Sequence, residues 1–236
     1  MALPKLSVPQ YTVELPSNGK KLNMRPYLVR EEKLLLMAME SKDPVQIQKA
    51  VQTLIQDCIG LDDLSSITSF DLEYLFLQLR AKSVGENIRV KKLCQKEGCE
   101  IQQEHVINID EIKVEGINND RTIIIDADKK IGINMRYPTI KSLEKIDLGN
   151  LEKIDNLIDL VIACIDTIFD DENVYKADDT EWNELKDFVG QFSTEQFALL
   201  RDFFAELPAI TYKENYKCEC GHDNNIELKG LQGFFT

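Results

Sequence analysis

Apolar positions alternate with polar ones near the start of the chain, in Tyr11 to Leu15 and again in Lys21 to Tyr27. Between them stands Pro16-Ser17-Asn18-Gly19, whose Asn-Gly pair supplies the positive φ angles of a tight turn. Residues 1–28 are therefore predicted to form an arm and an N-terminal β-hairpin. The pattern then changes. Arg30 to Glu40, REEKLLLMAME, is rich in straight-chain helix formers, and Asp43-Pro44 gives an N-cap followed by proline at the first helical position. This second helix is predicted to reach about Cys58, with Val45, Ala50, Val51, Leu54 and Ile55 on its buried side. A third follows the cap Ser69, with Leu72, Leu75, Phe76 and Leu79 at helical spacing and Gly85 as its stop.

After Gly85 the period returns to two, through Ile88 and Val90, Ile107 and Ile109, and Ile112 and Val114. Thr122 to Asp126 and Ile131 to Tyr137 continue the strand-like pattern as far as Pro138, which predicts a small central sheet. Helical spacing resumes at Ile140, with an amphipathic segment Leu151 to Phe169, a capped helix near Asp179 to Phe188, and another from Ser193 to Leu207 that Pro208 ends. Ile210 to Tyr216 and Asn225 to Leu228 read as strands again. The fold class is α+β. Helical stretches 29–87 and 139–209 are expected to form a body beside a discontinuous β module, residues 88–138 and 210–236, that resembles a zinc ribbon.

The module rests on cysteine placement. Cys94 and Cys99 sit on a turn between the strands NIRVKKL and IQQEHVIN, and Cys218 and Cys220 on a turn between ITYKENYK and DNNIELKG. Two thiolates on one tight turn can share a tetrahedral metal, so two such turns would close one four-cysteine site for a structural zinc ion. The Cys218-x-Cys220 spacing is one residue shorter than the usual Cys-x-x-Cys, which leaves His222 as an alternative ligand. Cys58 and Cys164 lie among apolar residues and are expected in the core.

Charge narrows the function classes. The 236 residues carry 28 Lys and Arg against 41 Asp and Glu, a formal net charge of −13, which disfavours binding to a phosphate backbone. The basic strip Arg89, Lys91, Lys92 and Lys96 is the local exception, and it keeps open the alternative of a zinc-ribbon adaptor for nucleic acid or another protein. No segment is long and apolar enough for a membrane span, and the N-terminus lacks a secretion signal, so an intracellular protein without membrane contact is expected. Enzymatic signatures are missing. The two histidines, His105 and His222, stand in no metalloprotease or nucleophile motif, and no phosphate-cradling glycine loop occurs, so neither turnover nor a small-molecule substrate is expected. Asp166, Asp170, Asp171 and Glu172 read as a solvated helix end, and Asp178-Asp179 as a cap.

ELPSNGKKLNMRPYLVREEKLLLMAME, FDLEYLFLQLRAKSVGE, INMRYP, LVIACIDTIFDDENVY, FALLRDFFAELP and KCECGHDNNIELKGLQGFF occur in this order from about residue 11 to the C-terminus. Together they resemble the baseplate hub assembly proteins of T-even-like bacteriophages, viruses with contractile tails. The resemblance implies a non-enzymatic morphogenesis protein, present in the infected bacterial cytoplasm or the virion baseplate, that binds phage baseplate hub proteins as a chaperone or a retained component. Adhesion of that kind depends on a few aromatic anchors. Phe234 and Phe235 are the candidates for partner binding, because a chain end frays unless it docks on its own helices or on a partner, while Phe197, Phe203 and Phe204 fit ordinary core packing.

Overall fold

The computed structural model describes residues 6–144, 146 and 153–234. In chain order the first elements are β1 (Tyr11–Glu14), β2 (Lys21–Met24), α1 (Val29–Ser41), α2 (Pro44–Ile59), α3 (Ser69–Ser83), β3 (Asn87–Leu93), β4 (Gln102–Asn108) and β5 (Lys113–Glu115). Then come β6 (Thr122–Asp126), β7 (Ile131–Met135), α4 (Ile140–Leu143), α5 (Ile154–Ala163), β8 (Ile165–Phe169) and β9 (Val174–Lys176). The last are α6 (Trp182–Gly190), α7 (Thr194–Ala205), β10 (Ala209–Lys217) and β11 (Asp223–Lys229). The described residues divide into two compact units. One takes those up to Leu64, from Phe70 to Glu115 and from Ala209 onward; the other takes Ser65–Ser69 and Gly116–Pro208.

In the first unit β1 and β2 pair antiparallel as the N-terminal hairpin, and Gly19 adopts φ +71° in its turn. Helix α2 starts where Asp43 accepts the Val45 N–H at 3.0 Å and stops at Gly60, whose φ of +71° is the left-handed cap that glycine adopts without strain. Val51, Leu54 and Ile55 face inward as expected, but Val45 is 58% exposed: it belongs to the first turn, before the helix meets its neighbours. Helix α3 buries Leu75, Phe76 and Leu79 together with Leu77 and Ala81, so it is apolar on more than one side, as a central helix must be. At the start of α1, Glu31 accepts the Leu28 N–H at 2.7 Å and takes both arms of the Arg25 guanidinium at 2.9 Å.

Two antiparallel ribbons complete this unit. Strands β3 and β4 pair by themselves, while β10 stands between β11 and β5. Their inner faces close over one core with Ile88, Val90, Ile107, Ile210, Ile226 and Leu228, against Leu77 and Ala81 of α3. Phe234 belongs to the same core and is 2% exposed. Its short 3-10 turn is held by the Gly230 N–H on the Ile210 carbonyl and by the Leu231 N–H on Glu73. The turn Leu231–Phe234 is therefore held to its own unit, with Phe234 covered in this position; Phe235 lies outside the described residues.

The second unit is built on a sheet of order β6-β7-β8-β9, all antiparallel. Here two expectations are corrected. Thr122–Asp126 and Ile131–Met135 do not join the cysteine ribbons but pair in this sheet, and the segment read as one helix from Leu151 to Phe169 is helical only over Ile154–Ala163 before turning into β8. Leu151 itself lies outside the described residues. The switch occurs at Cys164, where Ile165, Thr167, Ile168 and Phe169 are β-branched or aromatic and find β7 as a partner. The helices likewise do not form one body, since α1 to α3 fall in the first unit and α4 to α7 in the second, apart from Ser69 at the start of α3. The acidic stretch follows the same correction: Asp170 lies in the β8–β9 turn and accepts the N–H groups of Glu172 and Asn173. Asp178 receives a bidentate Arg136 pair.

Phe197, Phe203 and Phe204 pack half-buried against the core of Ile133, Leu160, Val161 and Leu185, with Phe203 edge-on to Phe204 at 5.3 Å. Cys164 is fully buried, as is Cys58 in the first unit, and burial pushes their thiols up to about 12 and about 11. Across β7 and β8, Gly132 pairs with Phe169, whose ring occupies the space a Cβ would need. Gly132→Ala is expected to cost about 1–3 kcal/mol through overpacking. Thermal unfolding followed by emission from Trp182, the single tryptophan and a residue of the same unit, reads this directly.

Candidate metal centre

The β3–β4 turn and the β10–β11 turn each present two cysteines. Cys94 continues the ladder, donating its N–H to the Ile101 carbonyl at 3.0 Å, and Gly98 at φ +76° lets the chain reverse so that the Cys99 N–H reaches the Lys96 carbonyl. The second turn is tighter. Cys218 donates to the His222 carbonyl at 2.9 Å while Gly221, at φ +82°, donates back to Cys218 at 2.8 Å. That geometry lets the short Cys218-x-Cys220 pair present both sulfurs to one point.

The Sγ atoms of Cys94, Cys99, Cys218 and Cys220 all lie within 4.8 Å of one another, and Cys94 and Cys220 are 3.7 Å apart. A tetrahedral ion with metal–sulfur bonds of about 2.3 Å requires sulfurs about 3.8 Å apart, so the set would close on an ion with a contraction of at most about 1 Å in its widest pair. The backbone is arranged to match. The Lys96 N–H points to the Cys94 sulfur at 3.5 Å, and the N–H groups of Ile101, Cys220 and His222 act electrostatically on the thiols of Cys99, Cys218 and Cys220. Each thiol thus has the amide two residues further on beside it, a dipole that favours the thiolate form a metal needs.

The thiols compete for protons. The His222 N–H, helped by the neighbouring thiols, outweighs burial and brings Cys220 down to about 7. At Cys218 the Cys220 N–H favours the thiolate, yet burial and the other three thiols prevail and push it up to about 12. Four such groups can hold one metal ion. His222 enters through its main chain, and its ring is not among the clustered ligand atoms.

Two residues beyond the ligands join the turns. The Gln95 N–H bonds Asn224 Oδ1 at 2.7 Å, and the Gln95 side chain spans both the carbonyl and the N–H of Asn225, at 2.9 and 3.3 Å. Asn224, 4% exposed, also donates to the His222 carbonyl at 3.0 Å. The alternation Asn224, Ile226, Leu228 was the available signal, since it puts a polar amide on the buried face of β11. Asn224→Ala is expected to weaken metal binding about 10- to 100-fold, as loss of a supporting partner does elsewhere, with competition against a chelator as the measurement. His105 packs edge-on against Tyr216 at 4.2 Å with Nδ1 3.6 Å from Glu214, and its ring is not among the clustered ligand atoms.

Among the described residues no helix is long and apolar enough to cross a membrane. No solved structure matches the chain. In the curated proteins it is similar to the baseplate hub assembly protein gp26 of Enterobacteria phage T4, 24% identical over 227 residues that cover 96% of this chain and 98% of the relative. A profile of the family described as T4 bacteriophage base plate protein matches residues 8–236, a span that includes both cysteine turns, and the chain belongs to that family.

Proposed function

We propose that this chain is a non-enzymatic tail-morphogenesis protein that binds hub subunits while the central hub of a phage baseplate is built. The observation that carries this reading is the family match over nearly the whole chain, reinforced by a relative, covered over 98% of its length, that is named for hub assembly. We assign the four cysteines to a structural zinc ion, because an all-sulfur tetrahedral set suits zinc and four protein ligands leave no position for water or substrate. Its work is to fix the two hairpins against each other. An assembly protein also needs adhesive surface, and α1 leaves Leu34, Leu36, Met37 and Met39 between 47% and 56% exposed. The nucleic-acid adaptor is the weaker reading, given the net charge of −13.

Affinity purification of this chain from infected cells tests the proposal. It is expected to recover hub proteins in stoichiometric amounts, and recovery of nucleic acid with no baseplate protein would favour the adaptor. Mass spectrometry of finished virions then separates a retained component from a chaperone that has left.

A further inference from the structure

Strands β3 and β4 pair only with each other among the described residues, so each has an unpaired outer edge, and that of β3 borders a groove. The ladder assigns its groups. Cys94 donates to Ile101 and Ile109 to Glu86, so the residues of β3 facing β4 are Ile88, Val90 and Lys92. The N–H and C=O groups of Asn87, Arg89, Lys91 and Leu93 therefore point outward, away from β4. A groove of about 740 Å³ runs along this strand from Asn87 to Lys91, with Arg80 and Phe234 among its other lining residues.

The groove is basic on an acidic chain. Arg80, Arg89 and Lys91 line it against one carboxylate, Glu104, which lies 3.5 Å from Arg89. Natural proteins often place charge on a strand edge simply to prevent pairing, but that device does not require a groove beside the edge. Backbone groups at alternate residues, cations flanking them and a recess for side chains are what an added strand uses.

We propose that the outer edge of β3 binds an extended acidic segment of a partner protein as an added antiparallel or parallel strand. The opposite charge supplies selectivity, and the strand edge supplies the main-chain hydrogen bonds. The proposal rests on the reading that the chain works by binding baseplate proteins, and it names the chemistry of the segment that is gripped.

The test uses the full-length purified chain and a fluorescent peptide of alternating Glu and Val, with a peptide of alternating Lys and Val as control. Saturable binding of the acidic peptide is expected, weakened at least about tenfold by the double variant Arg89→Glu, Lys91→Glu through like-charge repulsion. Lys91→Pro should weaken it comparably. Its missing N–H faces outward, so the β3–β4 ladder is left intact, which circular dichroism verifies. Should Lys91→Pro fail to fold, amide exchange in the wild-type chain replaces it: bound peptide should slow Arg89, Lys91 and Leu93 and leave Ile88, Val90 and Lys92 unchanged.

No binding, equal binding of the basic peptide, or exchange unchanged along β3 would overturn the proposal. Self-association through this edge, detected by sedimentation and lost in Lys91→Pro, would overturn it too by giving the edge to a second copy. None of these results touches the assembly reading, which falls only if tails form normally in the absence of the protein.

Discussion

Cys94→Ser is expected to abolish stoichiometric zinc and to destabilise the first unit by more than about 4 kcal/mol, the range associated with loss of a structural metal. The reason is that the site exists only in the folded chain. Its ligands come from two turns far apart in sequence, so binding energy is folding energy, and removing one of four ligands forfeits most of it. The same loss is expected from Cys218→Ser and from a strong chelator. A chelated chain should regain its stability when zinc is returned. Elemental analysis of protein purified without chelators gives the stoichiometry, and amide exchange should place the loosening in β3, β4, β10 and β11. A wild-type chain with no metal and undiminished stability in chelator would remove zinc from the account while leaving the fold in place.

The second large effect is expected at Glu31. This carboxylate is 4% exposed, takes both arms of Arg25 and accepts the Leu28 N–H, and the Arg25 bond holds it at about 2 against an ordinary 4.5. Glu31→Ala leaves Arg25 with only the Pro26 and Asp57 carbonyls and no carboxylate, and opens the first turn of α1, at an expected cost of about 3–5 kcal/mol. The pH dependence has a definite sign. A carboxylate depressed in the folded state contributes stability that is fully present above about 4.5 and is lost as pH falls toward 2. The shift corresponds to about 3 kcal/mol over that window. Urea unfolding at neutral pH and at pH values inside the window should show a steeper acid loss for the wild type than for Glu31→Ala. Parallel curves would mean that the pair carries no linkage.

Local chemistry was legible where the signal is local. Asn18-Gly19 marks the first hairpin, Asp43-Pro44 opens α2, and Ser193 opens α7. The two cysteine turns could be read because strand, turn and strand are contiguous in each. What escaped was pairing at a distance. The apolar run after Leu157 suits a helix or a strand equally, and only the β7 partner, with Ile133 opposite Ile168, decides that β8 is a strand. The same cause misplaced β6 and β7, whose alternation resembles that of the ribbon strands. At the metal centre, Cys94, Cys99, Cys218 and Cys220 come together as their order suggests. The supporting roles of Gln95 and Asn224 depend on cross-turn hydrogen bonds that no spacing announces. For Phe234 the sequence leaves docking on its own fold or on a partner open, and the core of the first unit receives it.

The central claim is that this chain is needed to build the baseplate hub, and a phage with its gene inactivated tests that most directly. Cells infected with that phage should accumulate unassembled hub and baseplate intermediates without completed tails, and wild-type protein supplied from a plasmid should restore them. Complete, contractile tails in the total absence of the protein would contradict the account.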